Sequence, residues 1–358
     1  MQNHLTLNAH AKVNLALKIV GRYQNGYHSL VSLLAPISLH DRVSIETIAE
    51  GDLPTGQKFV SEFTETKRLE LHRAAAEQHP VSALDPSKNT VNCLVSLLYE
   101  KNLLPPDRYF KISICKDIPT EAGLGGGSSD AAAVLNACIQ FFDLMLSEQE
   151  KVSICSQIGS DVPALLNLVP QWIFSSGTVI KQINPHRKSQ LWKELSKYKI
   201  LLVKPPVGSN TASAYHDFSA KMPDLPTFSN SQVGLKPGLL EQEMVEEALS
   251  KLGLEARALE PSQGREKKNI YADPLSFLGN DFENVVYVTH PPIEKVRAEL
   301  VRLGAIKTLL AGSGSTVLGF FPTHDHNVQA ESNLTRAIFP SGSFISAVDF
   351  SCWAVAKR

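Results

Sequence analysis

The sequence predicts an α+β protein in two halves, and three observations carry that expectation. Its 358 residues, 43% of them hydrophobic, suffice for roughly two domains of about 100–200 residues each. Period-two and period-3.6 stretches both occur, without the steady strand–helix beat of a doubly wound sheet. Strand patterns at 172–175 and 199–203 open a second half, so the expected domains are residues 1–175 and 176–358.

In chain order, residues 5–19 alternate, with Leu5, Leu7, Ala9, Ala11, Val13, Leu15, Leu17 and Ile19 at odd positions. That is a strand with one face in the core, and the other face carries Lys12 and Asn14 side by side. GRYQNG, 21–26, has turn chemistry, and a second strand follows at 42–48. Residues 49–90 show weak periodicity. Val91, Leu94, Leu97 and Leu98 mark a helix over 90–101, and Phe110, Ile112 and Ile114 mark a strand over 109–116. Ser147 and Glu150 form a capping box for a helix with Val152, Cys155 and Ile158 on one face, which Gly159 to Pro163 breaks. Residues 223–237 and 264–268 read as loops. A helix over 292–303, strands over 306–310 and 316–321 around AGSGS, and a last strand over 344–348 complete the chain.

The formal net charge of -1 leaves no basic excess to neutralise nucleic acid. No apolar run reaches the ~18 residues of a membrane span, and the first residues, MQNHLTLNAHAKVNL, lack the pattern of a secretory signal. Cys93, Cys115, Cys138, Cys155 and Cys352 are scattered without a C-x-x-C pair. This fits reduced, buried thiols in a cytosol-like compartment.

The most informative stretch is AGLGGGSSDAAAVLNAC, 122–138. It lies between the strand ending in Lys116 and a helix expected to bury Ala132, Leu135, Ile139 and Phe142. Glycines ahead of a helix let backbone N–H groups approach phosphate oxygens, and the helix dipole favours an anion there. The stretch is neither a Walker A motif, having no Lys, nor G-x-G-x-x-G, since Ser128 stands at the third Gly position. The alternative is a plain helix start with Ser128 or Asp130 as N-cap.

IPTEAGLGGGSSDAA resembles the phosphate-binding motif of the galactokinase, homoserine kinase, mevalonate kinase and phosphomevalonate kinase (GHMP) superfamily. AHAKVNLAL with GRYQNGYHSL, and LLAGSGSTVLGFF, resemble two further motifs in the expected order. The combination AKVNL, GYH, GLGGGSSDAA and GSDVP is similar to the branch whose acceptor carries a cytidine diphosphate group, in the non-mevalonate route to isoprenoid precursors. The similarity is dense over 9–46, 89–175, 199–218 and 279–321. It is poor over 49–88 and 222–270, which read as insertions.

The resemblance implies a two-domain fold, the N-terminal half like ribosomal protein S5 domain 2 and the C-terminal half ferredoxin-like, with an active-site cleft between them. It implies ATP as phosphoryl donor, Mg2+, and an alcohol acceptor. Ile118, Pro119, Thr120, Glu121, Ala122, Gly123, Leu124, Gly125, Gly126, Gly127, Ser128 and Ser129 would then hold ATP, with Asn89 beside the nucleotide. Lys12 and Asp161 would be catalytic: Asp161 takes the hydroxyl proton, and Lys12 offsets charge on the transferred group. Asn14, Tyr27, His28, Thr211 and Tyr215 would hold the cytidine, with Leu34 where an aromatic residue often stands. Gly312, Ser313 and Gly314 would close the site.

Each residue also has a bland reading: Lys12 as an exposed strand lysine, Asp161 and Asn89 as helix caps, Tyr27 and His28 as residues of a strand start, and the 312–315 stretch as a tight turn. His186, His216, His290, His324 and His326 show no metal-ligand spacing, and no dedicated Mg2+ carboxylate stands out beyond Asp161. The rival functions are a homoserine- or mevalonate-type kinase and a catalytically silent nucleotide sensor.

Overall fold

A computed structural model describes residues 3–54, 57–75, 88–177, 179–183, 185–229, 274–323 and 339–353. The expected loops at 230–237 and 264–268, and His324 and His326, lie outside these, as does the side chain of His186. The chain divides into two units, one of residues 1–11, 39–120 and 125–167, the other of 12–38, 121–124 and 168–358.

Two long strands, β1 (His4–Tyr23) and β2 (His28–Thr47), contribute residues to both units. In the first unit they join β3 (Phe59–Glu65) and β4 (Phe110–Lys116) in the order β3-β4-β2-β1. Strand β4 runs antiparallel to β2, with Ile114 opposite Val43, and parallel to β3, with Ile114 beside Phe63. The unit adds helices α1 (Lys67–Ala75), α2 (Thr90–Glu100), α3 (Gly126–Phe142) and α4 (Glu148–Ile158). The capping box forms as expected, with Glu150 N–H donating to Ser147 Oγ and Ser147 N–H to Glu150 Oε2. Ile154 and Cys155 are the residues α4 buries.

In the second unit β5 (Gln171–Ser175) runs antiparallel to β2, with Gln171 opposite Leu34, and β6 (Val179–Gln182) pairs with β5. Helix α5 (Pro185–Leu195), strand β7 (Tyr198–Lys204) and helix α6 (Thr211–Lys221) follow. Two short strands, β8 (Thr227–Phe228) and β9 (Gly279–Asn280), lie parallel to β1 at Arg22–Tyr23 and at Ala16–Leu17. Helices α7 (Glu283–Thr289) and α8 (Pro291–Arg302) lead to β10 (Lys307–Leu310), β11 (Val317–Pro322) and β12 (Phe344–Val348).

The sheet order β10-β11-β7-β12, antiparallel throughout, is the ferredoxin-like order. Ile293, Val296 and Leu300 of α8 share a core with Leu201, Val203, Leu310 and Val317. Each such fully buried side chain contributes about 1.5–3 kcal/mol.

Three departures from expectation have physical causes. The even-numbered face of β1 is covered, not solvated: His10, Lys12 and Asn14 are all buried. Strand β2 starts fourteen residues before Arg42, because its first half is apolar on both faces and lacks alternation. Helix α3 is capped by Gly125, not by Ser128 or Asp130, both of which lie inside it. Its buried side is centred on Ala131–Leu135, Ala137, Cys138 and Phe141, leaving Ile139 and Phe142 half-buried.

Candidate active site

In the first unit the site is built around the start of α3. Gly125 adopts φ 69° and offers no side-chain cap, so the first-turn N–H groups face outward, a ready anion site. Ser129 N–H makes the first helical bond to the Gly125 carbonyl at 2.8 Å, and its hydroxyl is engaged with the His10 carbonyl at 2.6 Å. Ser128 is half-buried in the first turn. Beside it, Thr90 Oγ1 donates to the Gly127 carbonyl at 2.8 Å. Asn89 caps α2, accepting from the N–H groups of Val91 and Asn92 through Oδ1, which leaves its amide NH2 outside the cap.

Sequence reasoning missed what holds this loop. Asp41, fully buried, accepts through Oδ1 from the N–H groups of Asp117 and of Ile118, the latter at 2.8 Å. Its other oxygen accepts from Lys116 Nζ, which also donates to Asp130. Burial works to lower the Lys116 pKa, but Asp130 and Asp41 outweigh it and hold the ammonium above its ordinary value. Burial, with Asp41 beside it, drives the Asp130 carboxyl well above the usual carboxylate range against the pull of Lys116. Asp130 Oδ1 is buried with no hydrogen-bond partner. A Lys ending the strand before a glycine loop, with Asp right after the two serines, was the signal available.

Asp161, half-buried, lies between α4 and a 3-10 turn at Pro163–Leu165. Val162 stands at the N-cap position of that turn.

The second unit gathers a larger group of the expected residues. Lys12 donates from its backbone N–H to the Leu124 carbonyl at 2.9 Å and from Nζ to Asn14 Oδ1 at 2.9 Å. Asn14 Nδ2 donates to Ser32 Oγ at 2.8 Å, and Ser32 Oγ to the Ala16 carbonyl at 2.8 Å. A buried relay thus fixes the lysine, which is not an exposed strand lysine.

The loop after β10 meets residues 121–124. Thr316 N–H donates to the Ala122 carbonyl at 3.3 Å. A Cβ on Gly123, at φ 73°, would lie 1.9 Å from the Ala311 carbonyl oxygen. One on Gly312, at φ 54°, would lie 3.3 Å from Lys12 Nζ. Only glycine fits at 123, and at 312 the close contact and the positive φ favour it, so the 312–315 stretch is a hairpin loop that also covers the lysine. Asn280, another residue missed, donates from Nδ2 to the carbonyls of Leu310 and Gly312 at 2.8 and 2.6 Å. Ser313 accepts at its carbonyl from Ser209 Oγ at 2.6 Å, and its hydroxyl bonds that of Thr211 at 2.8 Å.

His28 stacks on Tyr215, ring centroids 4.7 Å apart and planes at 20°, and its Nε2 bonds Ser219 Oγ at 2.7 Å. Burial, then Arg22, lowers the His28 pKa, so the ring is neutral near pH 7 and offers one donor and one acceptor. Tyr27 is 64% exposed, a free aromatic face beside that pair in sequence, whereas Leu34 is fully buried.

The chain as a whole is similar to known proteins. Models of the GHMP kinases N terminal domain and the GHMP kinases C terminal domain match residues 89–167 and 267–340. A protein of Streptococcus mutans serotype c described as a putative 4-diphosphocytidyl-2-C-methyl-D-erythritol kinase is 32% identical over 88% of this chain and 89% of its own. The 4-diphosphocytidyl-2-C-methyl-D-erythritol kinase of Desulfitobacterium hafniense is 32% identical over 91% and 90%. The chain belongs to the 4-diphosphocytidyl-2-C-methyl-D-erythritol kinase family, within the GHMP kinases. The fold agrees: a crystal structure of 4-(cytidine 5'-diphospho)-2C-methyl-D-erythritol kinase aligns over 96% of this chain and 99% of its own with a TM-score of 0.60 at 23% identity. The Methanococcus jannaschii mevalonate kinase aligns over 97% and 98% with 0.58 at 14%.

Proposed function

We propose that this chain transfers the γ-phosphoryl group of ATP to the 2-hydroxyl of 4-diphosphocytidyl-2-C-methyl-D-erythritol, giving the 2-phosphate and ADP for isoprenoid precursor synthesis by the non-mevalonate route. The observation that carries the reading is the glycine start of α3, which among the described residues has no side-chain cap on its first-turn N–H groups. Kinase family membership supports ATP as the donor. Phosphoryl transfer needs positioning and charge compensation more than covalent help. In this proposal the first turn of α3, within residues 118–129, supplies main-chain donors, and Asn89 reaches the nucleotide with its amide.

Asp161 orients the acceptor hydroxyl and takes its proton. The Lys12 ammonium, held by Asn14, offsets charge on the moving group. Tyr27 stacks on the cytosine, and the neutral His28 ring, backed by Tyr215, reads its edge. Thr211 and the 312–314 loop close over the acceptor. The oxygen donors Ser128 and Asp161 fit a hard cation, which seldom needs more than one or two protein ligands. When bound, Mg2+ offsets charge on the phosphate oxygens. One family model matches in each half of the chain.

A coupled ADP-release assay tests this, with 4-diphosphocytidyl-2-C-methyl-D-erythritol, homoserine and mevalonate offered in parallel. Turnover with the first alone is expected. Turnover with another acceptor, or ATP binding without any product, would sink the reading.

A further inference from the structure

Lys204 ends β7 fully buried, where an ammonium needs partners to offset lost hydration. Its Nζ folds back on the segment that follows, donating to the carbonyls of Val207 at 3.0 Å and Pro205 at 3.4 Å. The Val207 carbonyl also accepts from Ser315 Oγ at 2.6 Å, and that hydroxyl lies 3.3 Å from the Glu121 carbonyl oxygen.

Glu121, at φ 50° in the phosphate loop, lays its carboxylate on the bare backbone of Gly208: a Cβ there would sit 2.1 Å from Oε2. Of the elements around Lys204, β12 sets Phe344 opposite it and the 311–316 loop brings Ser315. The phosphate loop brings Glu121, the charge that acts on the amine among the described residues. Residues 205–209 lead directly into Asn210, which caps α6, and Thr211.

We propose that Lys204 is a positioning residue whose ammonium, bonded to the Val207 and Pro205 carbonyls with the Glu121 carboxylate lying on Gly208, holds residues 205–209, and Thr211 beyond them, in register with the phosphate loop at 121–124. The proposal rests on the kinase reading for the role of Thr211. Burial pulls the Lys204 amine down to about 8, although Glu121 pushes it up. The tie therefore loosens at mildly alkaline pH.

The test is kcat and both KM values between about pH 6.5 and 9.5 for the wild type, Lys204→Met, Lys204→Arg and Glu121→Gln. The wild-type kcat/KM for the acceptor is expected to fall above about pH 8. Glu121→Gln moves that fall to lower pH by removing the anion, and Lys204→Arg removes it because guanidinium keeps its proton. Lys204→Met gives a flat profile with the acceptor KM raised about 10-fold and the ATP KM unchanged. A wild-type acceptor KM in Lys204→Met, or an alkaline fall at the same pH in the Arg and Gln variants, overturns the proposal.

Should either Lys204 variant fail to fold, the shift in Glu121→Gln decides. Should the wild type phosphorylate no acceptor, the kinase reading falls and melting curves judge the tie. Since the unfolded lysine retains the proton that the folded amine sheds, the wild-type midpoint must rise relative to Lys204→Met between pH 8 and 10.5. A pH-independent difference overturns the tie.

Discussion

In the proposed function, the phosphate loop and the nucleoside wall would solve recognition in opposite ways. Within residues 118–129 the first turn of α3 offers backbone N–H groups, and the charges nearby, Asp41, Lys116 and Asp130, are buried. At the wall it offers side chains: an open Tyr27 and a His28 ring held by Tyr215 and Ser219. A phosphate presents the same oxygens from every side, so a fixed helix terminus suffices. A base is told apart by its edge, which takes side-chain groups with defined protonation. Errors in the first region should therefore be steric and severe, and in the second graded and tunable.

The largest effect is expected at the proposed catalytic base. Asp161→Asn should lower kcat ~10²–10⁴-fold with the ATP Kd nearly unchanged, read by steady-state kinetics and calorimetry. A variant keeping half the wild-type rate would remove Asp161 from its role.

Next comes the phosphate side. Gly123→Ala places a methyl group 1.9 Å from the Ala311 oxygen at a backbone angle disfavoured for alanine. It should cost about 100-fold in kcat/KM for ATP, with a lower melting midpoint. An unchanged ATP KM would break the contrast drawn above.

The smallest is at the wall. His28→Ala should raise the acceptor KM about 10-fold, for one hydrogen bond and one stacked pair, and spare the ATP KM. Because the folded His28 pKa lies below its unfolded 6.5, the neutral ring's contribution is present above that value and is lost as pH falls through the folded pKa. The wild-type acceptor KM should therefore rise on acidification and the Ala variant's should not. Titration over about pH 5–7 checks this.

Much of this was legible in the chain because local periodicity coincided with burial. The 344–348 strand forms with those bounds, and the 90–100 helix and its Asn89 cap differ little from expectation. Strand β3 and helices α1 and α5 were not legible. Their burial is partial or their apolar pattern weak, and tertiary neighbours decide them. Glycines announced the phosphate loop, since conformations open to few other residues leave a mark in composition. Nothing local announced the Asp41 and Lys116 pair, 75 residues apart, or the reach of Asn280 to the Gly312 carbonyl. Such partners become neighbours only after the strands pair. Lys204 was hidden likewise, a lysine inside an apolar strand that reads as any strand end until its amine is seen turned back on Val207.

Strands β8 and β9 both dock on β1, at Arg22–Tyr23 and Ala16–Leu17, about 20 Å apart at 3.3 Å per residue. The polypeptide thus leaves and rejoins the same rail, and whatever is spliced between residues 229 and 274 begins and ends on anchors it does not itself supply. A change in the length of that stretch is expected to leave Asn280 in its hold on the hairpin.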